Sequence, residues 1–468
     1  MIDNLKPYPE YKDSGLPWLG QIPAHWKCVP LWTVARLKSD IGQPKLGLLS
    51  VYLDRGVIPY SEGGGLVHAP SLDLSKYQVV QPGDLVLNNQ QAWRGSVGVS
   101  RYTGIVSPAY VVFALSDCLQ SIYSNYLFRS PAMVDQFRIA SRGVGTIQRN
   151  IYPPSLRVLT VPVPALEEQD AIVCFLDHAN RQIDRYIRVK KRMIVLLNEQ
   201  KQAIIHQAVT RGLDPNVSLK PSGIPWLSDI PAHWEMIPAK HIFREVDERS
   251  RTGDEELLSV SHLTGVSRRS EKNITMFMAS SYIGHKLCKP SDLVINTMWA
   301  WMAALGVSKL SGIISPAYAV YRPINPTKHV DEFVDMLLRT RPYISEYICR
   351  STGIRSSRLR LYPEQFLKIP LIVPPVTDQR AIIEFVSRET EGFNRLITRT
   401  EREITLMREY RTRLIADVVT GQLDVRTAAT HLPAATDLST TTDVDISFTD
   451  EAELTADDLD LTSEETAP

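Results

Sequence analysis

The chain lacks the features by which catalytic and secreted proteins are most readily read. Its five cysteines, Cys28, Cys118, Cys174, Cys288 and Cys349, have no paired spacing. That excludes a disulfide framework and a metal knuckle, and fits a reducing compartment. No run reaches 18 apolar residues, and the N-terminus has no basic-then-apolar leader. A soluble, cytoplasmic protein without membrane contact is therefore expected. No HExxH, CxxC, GxSxG or P-loop occurs, and no GxGxxG follows a strand-like run. The ten histidines do not cluster. Metallohydrolase, serine-hydrolase and nucleotide-binding signatures are thus missing, and no catalytic or metal-ligating residue is assigned. Basic residues are missing at one end: after Arg426 there is no Lys or Arg, while residues 437–465 hold 11 Asp or Glu. The formal net charge of zero hides this asymmetry. Without those acids, 52 basic residues face 41 acidic ones, leaving a body near +11 that suits a polyanion. The acidic, Thr-rich segment at 426–468 reads as a disordered tail; the plainer alternative is that uneven charge is common and the tail merely aids solubility.

What the chain does have is itself, twice. SGLPWLGQIPAHW (Ser14 to Trp26) returns as SGIPWLSDIPAHW (Ser222 to Trp234), with ten of thirteen positions identical at a shift of 208. GDLVLNNQQAWRGSVGVSRYTGIVSPAYVVF, from Gly83, is answered at the same shift by SDLVINTMWAWMAALGVSKLSGIISPAYAVY, from Ser291. IYPPSLRVLTVPVPALEEQDAI, from Ile151, matches LYPEQFLKIPLIVPPVTDQRAI, from Leu361, at a shift of 210. Each half is therefore a complete structural unit rather than a short solenoid repeat. Within a half, short Val/Ile/Tyr-rich runs broken by Gly, Pro, Asn and Ser predict strands, among them DLVLN, DLVIN, GIVSPAYVVFAL and GIISPAYAVY. Residues 119–136 and 329–341 predict helices. At 468 residues two to four domains are expected, and these two are mixed α/β.

Each half closes on a long stretch poor in Pro and Gly. Val173, Leu176, Ile183, Ile187, Ile194, Leu197, Ile204 and Ala208 follow alternating three- and four-residue steps, interrupted by Asn180, Lys190 and Lys201. Ile383, Val386, Phe393, Ile397, Ile404, Met407, Leu414 and Val418 do the same, with Thr390, Thr400 and Arg411 in the gaps. This is heptad spacing over about five heptads, a helix of roughly 60 Å in each copy. Two tethered helices can bury their stripes against each other in antiparallel fashion; a parallel coiled coil between two molecules is the alternative. The expected architecture is α+β: two duplicated mixed α/β domains, 1–168 and 214–378, separated by long antiparallel coiled-coil helices at 169–213 and 379–425.

The constant segments frame unlike loops. After the strand at Asp84 comes Asn88, Asn89, Gln90, Gln91, Trp93 and Arg94; the second copy has Asn296, Thr297, Trp299, Trp301 and Lys309. Asn, Gln and Arg read base edges through paired hydrogen bonds. A second loop carries Arg138, Arg142, Thr146, Gln148 and Arg149, answered by Arg350, Arg355, Ser356 and Arg358, with Arg360 beside them. Arg and Lys hold phosphates as well as bases. Tyr52, Arg55, His262, Arg268 and Arg269 form a lesser third group. A base-modifying pocket is disfavoured, because neither an Asx-Pro-Pro-aromatic motif nor a Gly-rich cofactor loop accompanies Asn88–Asn89. Glu199 and Lys201, downstream of Asp184, are loosely nuclease-like but lie within the heptad stretch, where solvated helix faces account for them. His25 and His233 are read as packing residues, and Trp18, Trp26, Trp226 and Trp234 as ties between the incoming chain, its domain and the helix.

Taken together, residues 1 to about 425 resemble the specificity (S) subunits of type I restriction–modification systems. The resemblance rests on the opening Pro17 to Trp26 and Pro225 to Trp234, on Gly83 to Tyr110 and Ser291 to Tyr318, and on Pro162 to Gln169 and Pro370 to Gln379. Ser291 in place of Gly83, and TDQ at Thr377 to Gln379 in place of EEQ, are mild departures. The resemblance implies a non-catalytic subunit with two target recognition domains, each reading one half of a bipartite, asymmetric site in double-stranded DNA. It further implies docking of two methyltransferase (M) subunits and of restriction (R) subunits. No cofactor would be held by this chain: S-adenosylmethionine would belong to the methyltransferase partner, ATP and Mg to the restriction partner. The rival reading is a duplicated two-domain protein-binding adaptor.

Overall fold

The computed structural model describes residues 5–53, 55–63, 71–144, 148–157, 159–271, 281–353 and 359–432. They fall into two compact units, one of residues up to 191 together with those from 401, the other of residues 192–400.

The core of the first unit is a four-stranded antiparallel sheet in the order Ala35–Lys38, Tyr110–Leu115, Asp84–Asn88, Val97–Val99. Val112 lies opposite Val86, and Leu85 opposite Val99. The second unit repeats this order with Phe243–Val246, Ala319–Pro323, Leu293–Ile295 and Leu305–Val307. The first unit's sheet is held from both faces: Leu85, Leu87 and Phe113 enter one apolar cluster, Val86 and Val112 another. GIVSPAYVVFAL forms two strands, Gly104–Val106 and Tyr110–Leu115, since Pro108 cannot donate to a ladder. Residues 119–136 likewise divide, into the helices Ser121–Arg129 and Pro131–Ala140. Ser130 ends one and caps the next, with Pro131 in the first turn. The second unit divides its equivalent at Thr340, between Asp331–Leu338 and Arg341–Arg350.

The repeated opening segment is buried framework. Trp26 and Trp234 are fully enclosed, Trp18 packs against the first core, and Trp226 meets Tyr343 edge-on at 5.2 Å. His25 Nε2 lies 2.8 Å from Glu168 Oε2, and His233 Nε2 lies 2.8 Å from Asp378 Oδ2, so each histidine ties its segment to the first turn of a long helix. The glutamine beside each carboxylate is the stitch. Gln169 accepts from the Gln120 amide and donates to the Cys118 and Pro164 carbonyls. Gln379 does the same with Val330, Lys328 and Pro374. Both are buried with three hydrogen bonds each, the condition under which a buried amide is tolerated.

The long helices run Leu166–Arg211 and Val376–Val419, each beginning three residues before the expected start at 169 or 379. In both cases acidic residues occupy the exposed amide end, Glu167 and Glu168 in one and Asp378 in the other. Within each unit the two helices pack together. In the first unit Arg411 pairs with Asp184 and Lys190 with Glu403, the latter at 2.7 Å. In the second, Lys201 donates to Asn394 at 2.8 Å. In the first unit the numbers rise along one helix as they fall along the other, so the segments packed there are antiparallel. Four of the six residues that interrupt the heptads thus find use: Lys190, Lys201 and Arg411 in these pairs, and Asn180 in a hydrogen bond to the Tyr126 hydroxyl at 2.9 Å. Thr390 and Thr400 donate to carbonyls one turn back, which lets them be buried.

Arg426–Thr430 forms a short helix, with Arg426 over the Tyr8 ring at 5.0 Å and paired to Asp424 at 2.7 Å. The 11 acids of 437–465 lie outside the described residues. No described helix is long and apolar enough to cross a membrane.

Candidate nucleic-acid interface

The two variable loops of each unit are neighbours because the backbone joins them. In the first unit the Ile151 amide donates to the Asn89 carbonyl at 2.9 Å; in the second the Leu361 amide donates to the Thr297 carbonyl at 2.8 Å. The first loop is built on the same turn in both. Asn88 Oδ1 accepts from the Gln90 amide at 3.0 Å, and Asn296 Oδ1 accepts from the Met298 amide at 3.2 Å. A tryptophan then closes the turn: Trp93 Nε1 donates to Gln90 O, and Trp301 Nε1 to Met298 O, both at 2.9 Å.

These bonds divide the residues singled out in the sequence. Asn296 and Thr297 are buried, and Thr297 Oγ1 donates to the Ala317 carbonyl. Asn296 Oδ1 and Thr297 Oγ1 are thus used within the loop that carries them. Asn88 serves the same turn, and Asn89 Oδ1 is buried. Gln90 and Arg94 are exposed, Gln91, Trp93, Trp299 and Trp301 half-buried. Trp299 and Trp301 stack with centroids 5.6 Å apart and rings 27° from parallel.

In the second loop of the first unit, Arg142–Val144 pairs with Gln148–Asn150. Arg142 is exposed; Arg149 is half-buried, donating through Nη1 to the Arg138 carbonyl at 3.4 Å. Arg138 pairs with Asp135 at 2.9 Å, Lys309 with Glu332 at 2.9 Å, and Arg350 with Glu346. The hydrogen bond to Glu332 pushes the Lys309 ammonium up from its usual range, so it stays charged. Thr146, Arg355, Ser356 and Arg358 lie outside the described residues, and Gln148 is described through its strand pairing alone. Among the third group, Arg55 lies over the Tyr52 ring at 4.8 Å, and Arg268 pairs with Glu256 and Glu271. His262 accepts from Arg339 through its carbonyl.

The result is a polar, cationic and aromatic surface on a constant frame. Exposed guanidiniums can meet phosphates or guanine edges, and partly exposed rings can meet apolar base edges. No group of three or more His, Cys, Asp or Glu among the described residues could hold a metal ion.

No protein-family model matches the chain. It is 25% identical over 240 residues to the proposed specificity subunit of the type I restriction enzyme MjaX of Methanocaldococcus jannaschii, covering 47% of this chain and 53% of that one. It is 24% identical to the StySPI specificity subunit of Salmonella potsdam, over 45% of this chain and 48% of the other. With the EcoKI specificity subunit of Escherichia coli K12 it shares 23% identity, over 41% and 44%. The matches span about half the length of these curated relatives. A chain from a solved structure concerned with assembly and conformational transition of the type I restriction–modification system has the same fold. Its TM-score is 0.56 at 15% identity, covering 86% of this chain and 99% of that one.

Proposed function

We propose that this chain, related in sequence to the specificity subunits of type I restriction enzymes, is the DNA-recognition subunit of a type I restriction–modification complex. One observation carries the reading: each unit repeats the same sheet order and the same Asn-anchored, Trp-closed turn, while the side chains mounted on that turn differ. A protein that reads two different half-sites with one scaffold needs this division. The recognised site is accordingly bipartite and asymmetric. The chain performs no chemistry; methyl transfer from S-adenosylmethionine and ATP- and Mg-dependent cleavage belong to its M and R partners.

The long helices form the antiparallel pair that sets the distance between half-sites and receives the M subunits. Exposed apolar side chains on them support a docking role: Val189, Leu406 and Tyr410 in the first unit, Val195, Leu196 and Leu396 in the second. Inserting seven residues into each helix is expected to change the gap between half-sites, and an unchanged gap would remove the spacing role.

The decisive experiment is co-expression with the M subunit, followed by mapping of methylated adenines across the host genome. Methylation confined to one split, asymmetric sequence is expected. An M–S complex that binds no duplex, or binds with no dependence on salt, would overturn the reading and favour a protein-binding adaptor, since phosphate contacts release counterions.

A further inference from the structure

Trp93 does more than close its turn. Its indole N–H is occupied by the Gln90 carbonyl, which fixes the ring, and two guanidiniums lie against it. The Arg94 guanidinium carbon is 5.7 Å from the ring centroid, and that of Arg149 is 5.8 Å away. Arg94 belongs to the first variable loop and Arg149 to the second. Arg149 is held again by the Arg138 carbonyl. Both distances lie within the reach of a cation–π attraction. Among the described residues, the ring is therefore a place where the two loops of the first unit meet through side chains.

The second unit keeps the ring and changes what it carries. Trp301 makes the same N–H bond to the residue three before it. At the position of Arg94 stands Met302, and at the position of Gln91 stands Trp299, which stacks on Trp301. One platform thus presents guanidiniums in the first unit and a second aromatic face in the second.

We propose that Trp93 is a positioning residue for base readout, fixing Arg94 and Arg149 so that the first unit reads a guanine through a guanidinium fork. The inference rests on the DNA-recognition reading above. The physical reason is entropic as well as electrostatic. A free arginine loses much rotamer freedom on forming a two-bond contact, whereas one already held against a ring loses less. Arginine fits guanine because its planar fork matches the O6 and N7 acceptors. The aromatic pair of the second unit lacks such a fork, and suits instead an apolar contact such as a thymine methyl.

The test is site selection from a randomised duplex pool by the complete M–S complex, comparing Trp93→Ala, Trp93→Phe and Arg149→Gln with the unaltered chain. Trp93→Ala and Arg149→Gln are expected to weaken discrimination at one guanine of one half-site by about 10- to 100-fold. Trp93→Phe, which keeps a ring, should retain most of it. The other half-site should be selected as before, which shows that each variant is folded and docked. The inference is overturned if Trp93→Ala selects the same guanine as strongly as the unaltered chain. It is overturned equally if both half-sites weaken together alongside a lower melting temperature, because that pattern belongs to a merely structural tryptophan. If the unaltered complex selects no sequence at all, the DNA-recognition reading itself falls, and this inference with it.

Discussion

Asp84 and Asp292 occupy the same place in the two units, at the head of the strand that leads into the first variable loop, and both are buried. Their partners come from different strands. Lys38 reaches Asp84 at 2.6 Å from the edge strand Ala35–Lys38. In the second unit that position is Val246, and Asp292 is instead gripped by Arg322, at 2.8 and 2.9 Å, from the central strand Ala319–Pro323. The position equivalent to Arg322 in the first unit is Ala114. The buried carboxylate is thus a fixed requirement, and the source of its counter-charge is free to move. The backbone explains the requirement: Asp84 Oδ2 also accepts from the Gln81 amide, and Asp292 Oδ2 from the Lys289 amide, which shapes the turn into the strand.

The comparison can be broken by moving the charge. Lys38→Val alone leaves a buried carboxylate without its cation and is expected to destabilise the first unit by about 3–5 kcal/mol. Adding Ala114→Arg copies the arrangement of the second unit and should restore most of that loss in chemical denaturation. If the double variant is no more stable than the single one, the two solutions are not interchangeable.

A smaller difference lies in the turns. Gly83 and Gly95 have φ of +92° and +105°; their counterparts Ser291 and Ala303 adopt φ of 68° and 61° without being glycine. Ser291 gains a hydrogen bond from its hydroxyl to Asp331 Oδ2 at 2.6 Å, whereas a methyl offers nothing of the kind. Ala303→Gly should therefore stabilise the second unit by about 1 kcal/mol, seen as a higher denaturant midpoint at unchanged slope. Ser291→Gly should gain less, because it gives up that bond.

The smallest effect concerns acid. Hydrogen bonds from Lys289 and then Arg322 hold the Glu248 carboxyl at about 2, below its usual 4.5. A carboxylate depressed in the folded state stabilises above its unfolded pKa and loses that contribution as pH falls through its folded value. The difference in stability between the unaltered chain and Glu248→Gln should accordingly be constant above about pH 5 and shrink between pH 4.5 and 2. A difference that holds constant to pH 2 would show that the pair contributes nothing to folding.

Much of the scaffold was legible in the residues because it is periodic or repeated. The heptads mark helices whose buried faces include Leu176, Ile183, Val386 and Ile404, and the 208-residue shift aligns two sheets of identical strand order. The candidate interface was legible only as a location. Asn296 looked like Asn88 in a polar loop, and nothing local said that its neighbour Thr297 would turn inward to the Ala317 carbonyl, 20 residues on. Trp93 stood out as an aromatic among polar residues, but its contact with Arg149 joins loops 56 residues apart.

By itself, then, the sequence determined that this protein is built twice, with constant framework segments, long helices and two sets of unlike loops. Those features are written in spacing and in identity between copies, and need no knowledge of contacts. Tertiary structure decided which polar residues belong to the framework, which strand supplies the cation for each buried aspartate, and where the first unit finds its missing wall. Val418, Val419 and Val425 enter the same core as Tyr8, Trp26 and Leu31, while Gly421 lies against Pro23 and Trp26. The second unit fills this place with Ala208 and Val209, from the end of the long helix immediately before it, and Gly212 lies against Trp234. Contacts between residues some 400 positions apart leave no local pattern. They follow from apolar surface at both chain ends that only a closed fold can remove from water.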